Sequence, residues 1–68
     1  MPNYIVNNRT QSTGEHEVHT TDCKYFPKIK YYTDLGWHNS CGPAKVAAKK
    51  VYANSDGCAT CCPDCHTR

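Results

Sequence analysis

Cys58-Ala59-Thr60-Cys61 sets two thiols two residues apart directly after Gly57, and His19 stands four positions before Cys23. Two intervening residues let both thiolates turn into one hollow, where nearby backbone N–H groups can donate to the sulfurs; this is half of a zinc knuckle. A closed structural zinc site takes four ligands, so a second pair is required, and His19-x3-Cys23 is the upstream pair with metal-ligand spacing. The spacing predicts one Cys3His site holding Zn2+ on His19, Cys23, Cys58 and Cys61. Alternatives stay open: Cys65 can replace His19 or Cys61, and Cys62, His66 and Cys41 are further candidate ligands, enough for a second site. Cys62 cannot readily share an ion with Cys61, because adjacent side chains diverge. A redox role for C-x2-C needs the motif after a strand in a βαβ pattern, and that context is missing.

Six cysteines and four histidines in 68 residues, with only 38% hydrophobic residues, make the core too small to hold the chain alone. A metal, disulfides or oligomerisation must add stability. Structural zinc supplies folding free energy on the order of 10 kcal/mol, so the metal-free chain is expected to be largely unfolded. Six cysteines also allow about 15 disulfide pairings, the alternative framework for a secreted chain. The first residues, MPNYIVNNRT, lack the basic and apolar regions of a signal peptide, and no apolar run approaches the ~18 residues of a membrane span. The expectation is therefore a cytoplasmic protein, where dense cysteine points to metal.

The elements that must position these residues are short. Tyr4-Ile5-Val6 and Glu17-Val18-His19, separated by turn formers, predict a hairpin in which Glu17 and His19 share one face and Val18 the other. His19 thus leaves the sheet as the chain enters the turn to Cys23. Lys24 to Thr33 reads as an irregular loop broken by Pro27, feeding a third strand near Tyr31 to Trp37. A helix is expected at about 41–53, capped by Ser40 or Gly42, with Pro43 in its first turn and Ala44, Ala47, Ala48, Val51 and Tyr52 as its apolar stripe. Cys41 points to that stripe and reads first as a small buried hydrophobe, with ligation or a disulfide as alternatives. Asn54 to Gly57 reads as a turn with Gly57 at positive φ. The fold class is α+β: a single zinc-stabilised domain over 1–68, with a short hairpin or three-stranded sheet, one helix and a C-terminal cysteine knuckle. Residues 1–14 are expected to be a partly flexible strand and loop.

These residues resemble the zinc-binding module of Ada-type DNA-repair proteins and the small bacterial Ada-like metal-binding domains. His19-Thr-Thr-Asp22-Cys23 is similar to the upstream half of that pattern, Leu35-Gly36 and the Ala44 to Tyr52 helix to its middle, and Gly57-Cys58-Ala-Thr-Cys61 to its closing knuckle, about 40 of 68 residues. The resemblance implies Cys23, Cys58 and Cys61 as ligands and nucleic acid as a candidate partner. It departs at His19: in the repair protein the matching cysteine accepts a methyl group from a DNA phosphotriester. An imidazole cannot replace that thiolate, so methyl transfer is not expected.

A formal charge of +2 lies far from that of a dedicated nucleic-acid binder. The leading functional reading is nevertheless a non-catalytic zinc module that could bind nucleic acid through Lys24, Lys28, Lys30, Lys45, Lys49 and Lys50 interleaved with Tyr25, Phe26, Tyr31 and Tyr32, since single strands pair phosphates with lysine and stack bases on rings. The plainer alternative makes those lysines a solvated surface and those aromatics the core; Trp37 likewise reads as core, His38 as surface and His66 as tail. A protein-adaptor module anchored by exposed aromatics is the second functional reading. An enzyme is the third: Glu15, Glu17 and Asp22 are near enough in sequence to serve as bases, but four strong ligands leave the ion no open position.

Overall fold

Apolar side chains at alternate positions pull the two N-terminal runs into an antiparallel hairpin. In the computed structural model, which describes residues 3–67, β1 (Asn3–Asn7) pairs with β2 (His16–Thr20) in the register Val6 to Val18, Ile5 to His19 and Tyr4 to Thr20. Tyr4, Val6 and Val18 are buried on one face against Ala44 and Ala48 of α1 (Cys41–Val51). Alternation along the strands turns Ile5, Glu17 and His19 to the opposite face. The helix therefore covers one side of the sheet, and the chemistry-bearing residues of β2 lie on the other.

The β3 strand (Tyr32–Trp37) pairs antiparallel with β1, with a bulge that leaves Leu35 between the Ile5–Asp34 and Tyr4–Gly36 pairs. Gly36 carries the positive φ of +80° needed there, and its N–H donates to Asp34 Oδ1 at 2.9 Å. The extra residue brings Leu35 to the helix side, where it packs on the core.

One strand more than expected completes the sheet. β4 (Ser55–Gly57) runs parallel to β2, giving the order β3-β1-β2-β4. Ser, Asp and Gly are poor strand formers, so local propensity favours a turn here; the open backbone edge of β2 overrides it. Gly57 does not have positive φ, contrary to the expectation. It is needed for space, since a Cβ there would stand 2.8 Å from the Cys62 carbonyl oxygen and from Cys65 Cβ.

The helix stops at Val51, two residues short of expectation. Tyr52 leaves helical geometry and stacks on His16, ring centroids 3.7 Å apart, while Val51 stays 48% exposed instead of joining the buried stripe. Cys41 is not a free hydrophobe: it forms a disulfide with Cys65. The reason is tertiary, because the 3-10 turn Pro63–Cys65 packs across the start of α1. Buried Asp56 then holds the tail, accepting from Lys45 Nζ at 3.1 Å and from the Thr67 N–H and hydroxyl. Burial works to raise its pKa, but these donors outweigh it and hold the carboxyl below its ordinary value.

Trp37 was expected in the core and is 46% exposed at the edge strand; His38 was expected at the surface and is half-buried, with Nε2 bonded to the Leu35 carbonyl and its ring edge-on to Tyr4. Tyr25, Tyr31 and Tyr32 are likewise exposed, so these three do not form the core. Tyr4, Val6 and Val18 fill it with Cys62 and the alanines at 44 and 48, which let the helix approach the sheet closely.

Candidate metal centre

The end of β2 and the end of β4 lie side by side, and this places the site. His19 occupies the last buried position of β2, and the Thr20 carbonyl accepts the Cys23 N–H at 3.1 Å, closing the turn that returns Cys23 beneath the strand. Across the parallel pair, the Cys58 N–H donates to the Val18 carbonyl at 2.9 Å, extending the ladder one step beyond β4. A further turn, with the Cys62 N–H on the Cys58 carbonyl at 2.8 Å, brings Cys61 back over the group.

The four ligand atoms of His19, Cys23, Cys58 and Cys61 all lie within 4.8 Å of one another. Cys23 Sγ and Cys58 Sγ are 4.0 Å apart, and Cys61 Sγ is 3.8 Å from His19 Nδ1. Four ligands arranged tetrahedrally at zinc bond lengths stand about 3.5–3.8 Å apart, so a slight contraction suffices to close the group on an ion. His19, Cys23 and Cys58 are at most 5% exposed, which makes the cluster an interior feature.

The electrostatics favour a cation. Burial pushes the Cys61 thiol far above its ordinary pKa; a hydrogen bond from the Thr20 N–H at 3.4 Å opposes this, while the neighbouring sulfurs of Cys23, Cys62 and Cys58 add to it. Several thiolates cannot share so small a volume unless a positive ion lies between them. Burial lowers the His19 pKa against the pull of Glu17, which keeps the imidazole neutral and fit to ligate.

Glu17 has a role that sequence reasoning missed, having considered it only as a catalytic base. His19 Nε2 lies 3.3 Å from Glu17 Oε1, so a proton on Nε2 leaves the Nδ1 lone pair facing the sulfurs. The available signal was their i, i+2 spacing on one strand face. Glu17→Gln is expected to weaken metal affinity about 10–100-fold with the fold intact, as measured by chelator competition. Unchanged affinity would remove Glu17 from the site.

Of the alternative ligands, Cys62 borders the group and the others lie elsewhere. Cys41 and Cys65 are bonded to each other. His66 Nδ1 faces the Gly57 carbonyl at 2.9 Å and Asp56 Oδ2 at 3.4 Å, pinning the tail. Cys62 is 1% exposed in the core beneath α1, with its sulfur 4.0 Å from Cys61 Sγ. The six lysines do not gather into one face. Lys45 is committed to Asp56 and the Cys65 carbonyl, Lys45 and Lys49 border a cleft containing Glu15 and Asp56, and Lys24 sits over the Tyr25 ring. Lys28 and Lys30 line a different cleft with Arg9. Among the described residues no helix is long and apolar enough to cross a membrane.

These three thiols and one imidazole could together hold a metal ion; no protein-family model, curated protein or solved structure matches the chain.

Proposed function

We propose that this chain is a non-catalytic recognition module folded around one structural zinc ion, with nucleic acid as its partner. The observation that carries the zinc reading is the group of four donors within 4.8 Å of one another, three of them buried and Cys61 half-buried. Three sulfurs and one imidazole suit zinc over harder cations, which prefer oxygen ligands. His19 Nδ1, Cys23, Cys58 and Cys61 would hold the ion and close its coordination, leaving no position for an activated water. The acidic neighbours support the same reading: Glu17 is engaged with His19, Glu15 is buried and accepts from the Thr13 hydroxyl, and Asp22 is exposed. An Ada-like resemblance would fit a zinc module, and an imidazole at position 19 in place of the acceptor thiolate argues against methyl transfer.

Nucleic acid is favoured by the exposed Tyr31 beside Arg9, Lys28 and Lys30. The protein-adaptor reading draws on the exposed Tyr32 and Trp37 of edge strand β3. Native mass spectrometry of the purified protein tests the metal: one zinc per chain is expected, and none or two overturns the single-site module. Capture of cellular nucleic acid at low salt, abolished by nuclease, tests the partner. A partner set unchanged by nuclease would favour the adaptor.

A further inference from the structure

On the rim formed by the end of β1 and the loop leading into β3, Asn7, Arg9, Lys28, Ile29, Lys30 and Tyr31 line one cleft. Three of these six residues are cations, none is acidic, and none of the three takes part in an ion pair among the described residues. The nearby carboxylate on β3, Asp34, is occupied by the Gly36 N–H. Elsewhere this protein neutralises its inward-facing cations, as with Lys45 on Asp56. The concentration of unpaired positive charge at one concavity in a chain of only +2 is therefore a local feature, not a consequence of net charge.

The cleft is also pre-shaped. Asn7 Oδ1 accepts the Arg9 N–H at 3.0 Å, which fixes the turn that carries the guanidinium. The Asn8 N–H donates to the Tyr31 carbonyl at 2.9 Å, and the Thr33 hydroxyl bonds Asn8 Oδ1 at 2.7 Å, tying the two walls together. Arg9 lies over the Tyr31 ring, 5.5 Å from its centroid, yet Tyr31 remains 58% exposed. The other end of the loop begins at Cys23, whose carbonyl accepts the Phe26 N–H. The wall bearing Lys28 and Lys30 is thus anchored to the metal group at one end and to β1 at the other.

We infer that this cleft is a binding site for single-stranded nucleic acid, with backbone phosphates held by Arg9, Lys28 and Lys30 and one nucleobase stacked on Tyr31. The inference rests on the nucleic-acid reading above and locates it on residues of which Arg9 was not foreseen. Cations alone would take any anion; the exposed ring between them adds the stacking face that a base requires, and stacking on it carries no sequence preference. A duplex keeps its bases stacked inward and cannot use that ring.

The test is fluorescence anisotropy of the zinc-loaded, disulfide-bonded protein with a labelled single-stranded oligonucleotide of mixed sequence. Three phosphate contacts predict a log–log salt slope of about −2, or about 20-fold weaker binding between roughly 50 and 200 mM salt. The triple variant Arg9→Ala, Lys28→Ala, Lys30→Ala should abolish measurable binding, Tyr31→Leu should weaken it about tenfold, and Val46→Ala, on the exposed face of α1, should leave it unchanged. Circular dichroism and zinc content check that each variant is folded. If the oligonucleotide binds but the triple variant and Tyr31→Leu bind equally well, the cleft is wrong while the nucleic-acid reading stands. No salt-sensitive binding by the unmodified protein overturns both. Equal affinity for AMP alone, or for a duplex, overturns the single-strand assignment.

Discussion

A zinc-loaded sample titrated with a strong chelator, its disulfide kept oxidised, is expected to lose its far-UV circular dichroism and its cooperative melt together. The physical reason is the two-sided sheet. One face is covered by α1 through Tyr4, Val6, Val18, Ala44 and Ala48. The other carries Ile5 and His19, and what is buried with them is chiefly the metal group: Cys23 at 5% exposure and Cys58 at 3%. Burying an aliphatic side chain contributes about 1.5–3 kcal/mol, and among the described residues Ile5 is the one large aliphatic fully buried on that face. Zinc contributes on the order of 10 kcal/mol. That is comparable to the whole net stability of an ordinary domain, roughly 5–15 kcal/mol. Removing the ion would leave two buried thiols, one half-buried thiol and a buried imidazole with nothing to organise them, and the Cys23 to Tyr31 loop would lose its anchor. Circular dichroism and melting temperature indifferent to the chelator would falsify the structural role of the metal.

The second large effect concerns the Cys41–Cys65 bond, which closes a loop of sequence separation 24. Loop-closure entropy for that length gives about 3.5 kcal/mol of stabilisation. In a domain this size such a loss lowers Tm by about 15–25 °C. Replacing both residues, Cys41→Ser with Cys65→Ser, should produce that drop and still bind one zinc ion, because neither sulfur belongs to the four-donor group. The tail is held independently by Lys45 on the Cys65 carbonyl and by Thr67 on Asp56, so the variant should remain folded at room temperature. Thermal melts and metal analysis on the same sample separate the outcomes. Lost zinc would mean that Cys41 or Cys65 is a ligand after all, and a normal melt without zinc would also contradict the structural role of the metal. The same bond bears on compartment: buried metal-binding thiols suit a reducing cytoplasm, whereas a persistent disulfide suits an oxidising one. Trapping free thiols in intact cells with an alkylating reagent reads which condition the protein meets.

The two effects act on different parts of the molecule. A metal ion on the four donors would join β2 and its following turn to the chain beyond β4; the disulfide joins the start of α1 to the tail. Gly57 lies where the two meet, with the Cys62 carbonyl and Cys65 packed against it. The exposed cleft of Arg9, Lys28, Lys30 and Tyr31 is outside both, which is why its variants can be tested without loss of fold.

The sequence by itself determined whatever is set by neighbours along the chain. His19-x3-Cys23 and Cys58-x2-Cys61 each encode a half-site, because a single turn brings the two side chains of each pair together. Period-2 alternation put Glu17 and His19 on one face and Val18 on the other, and the alanine-rich segment from Ala44 encoded a helix. The tertiary structure decided what depends on contacts between distant segments. Ser55 to Gly57 became a strand only because β2 offered an open edge, against the local preference of all three residues. Cys41 found Cys65 only when the tail crossed the helix start, and among many possible pairings nothing in their spacing singled it out. The orientation of Cys62 into the core, the commitment of Lys45 to Asp56 and the meeting of Arg9 with Tyr31 have the same origin. Local geometry can choose which side chains are poised to act, but which of them meet is settled by the packing of sheet, helix and tail around the buried group.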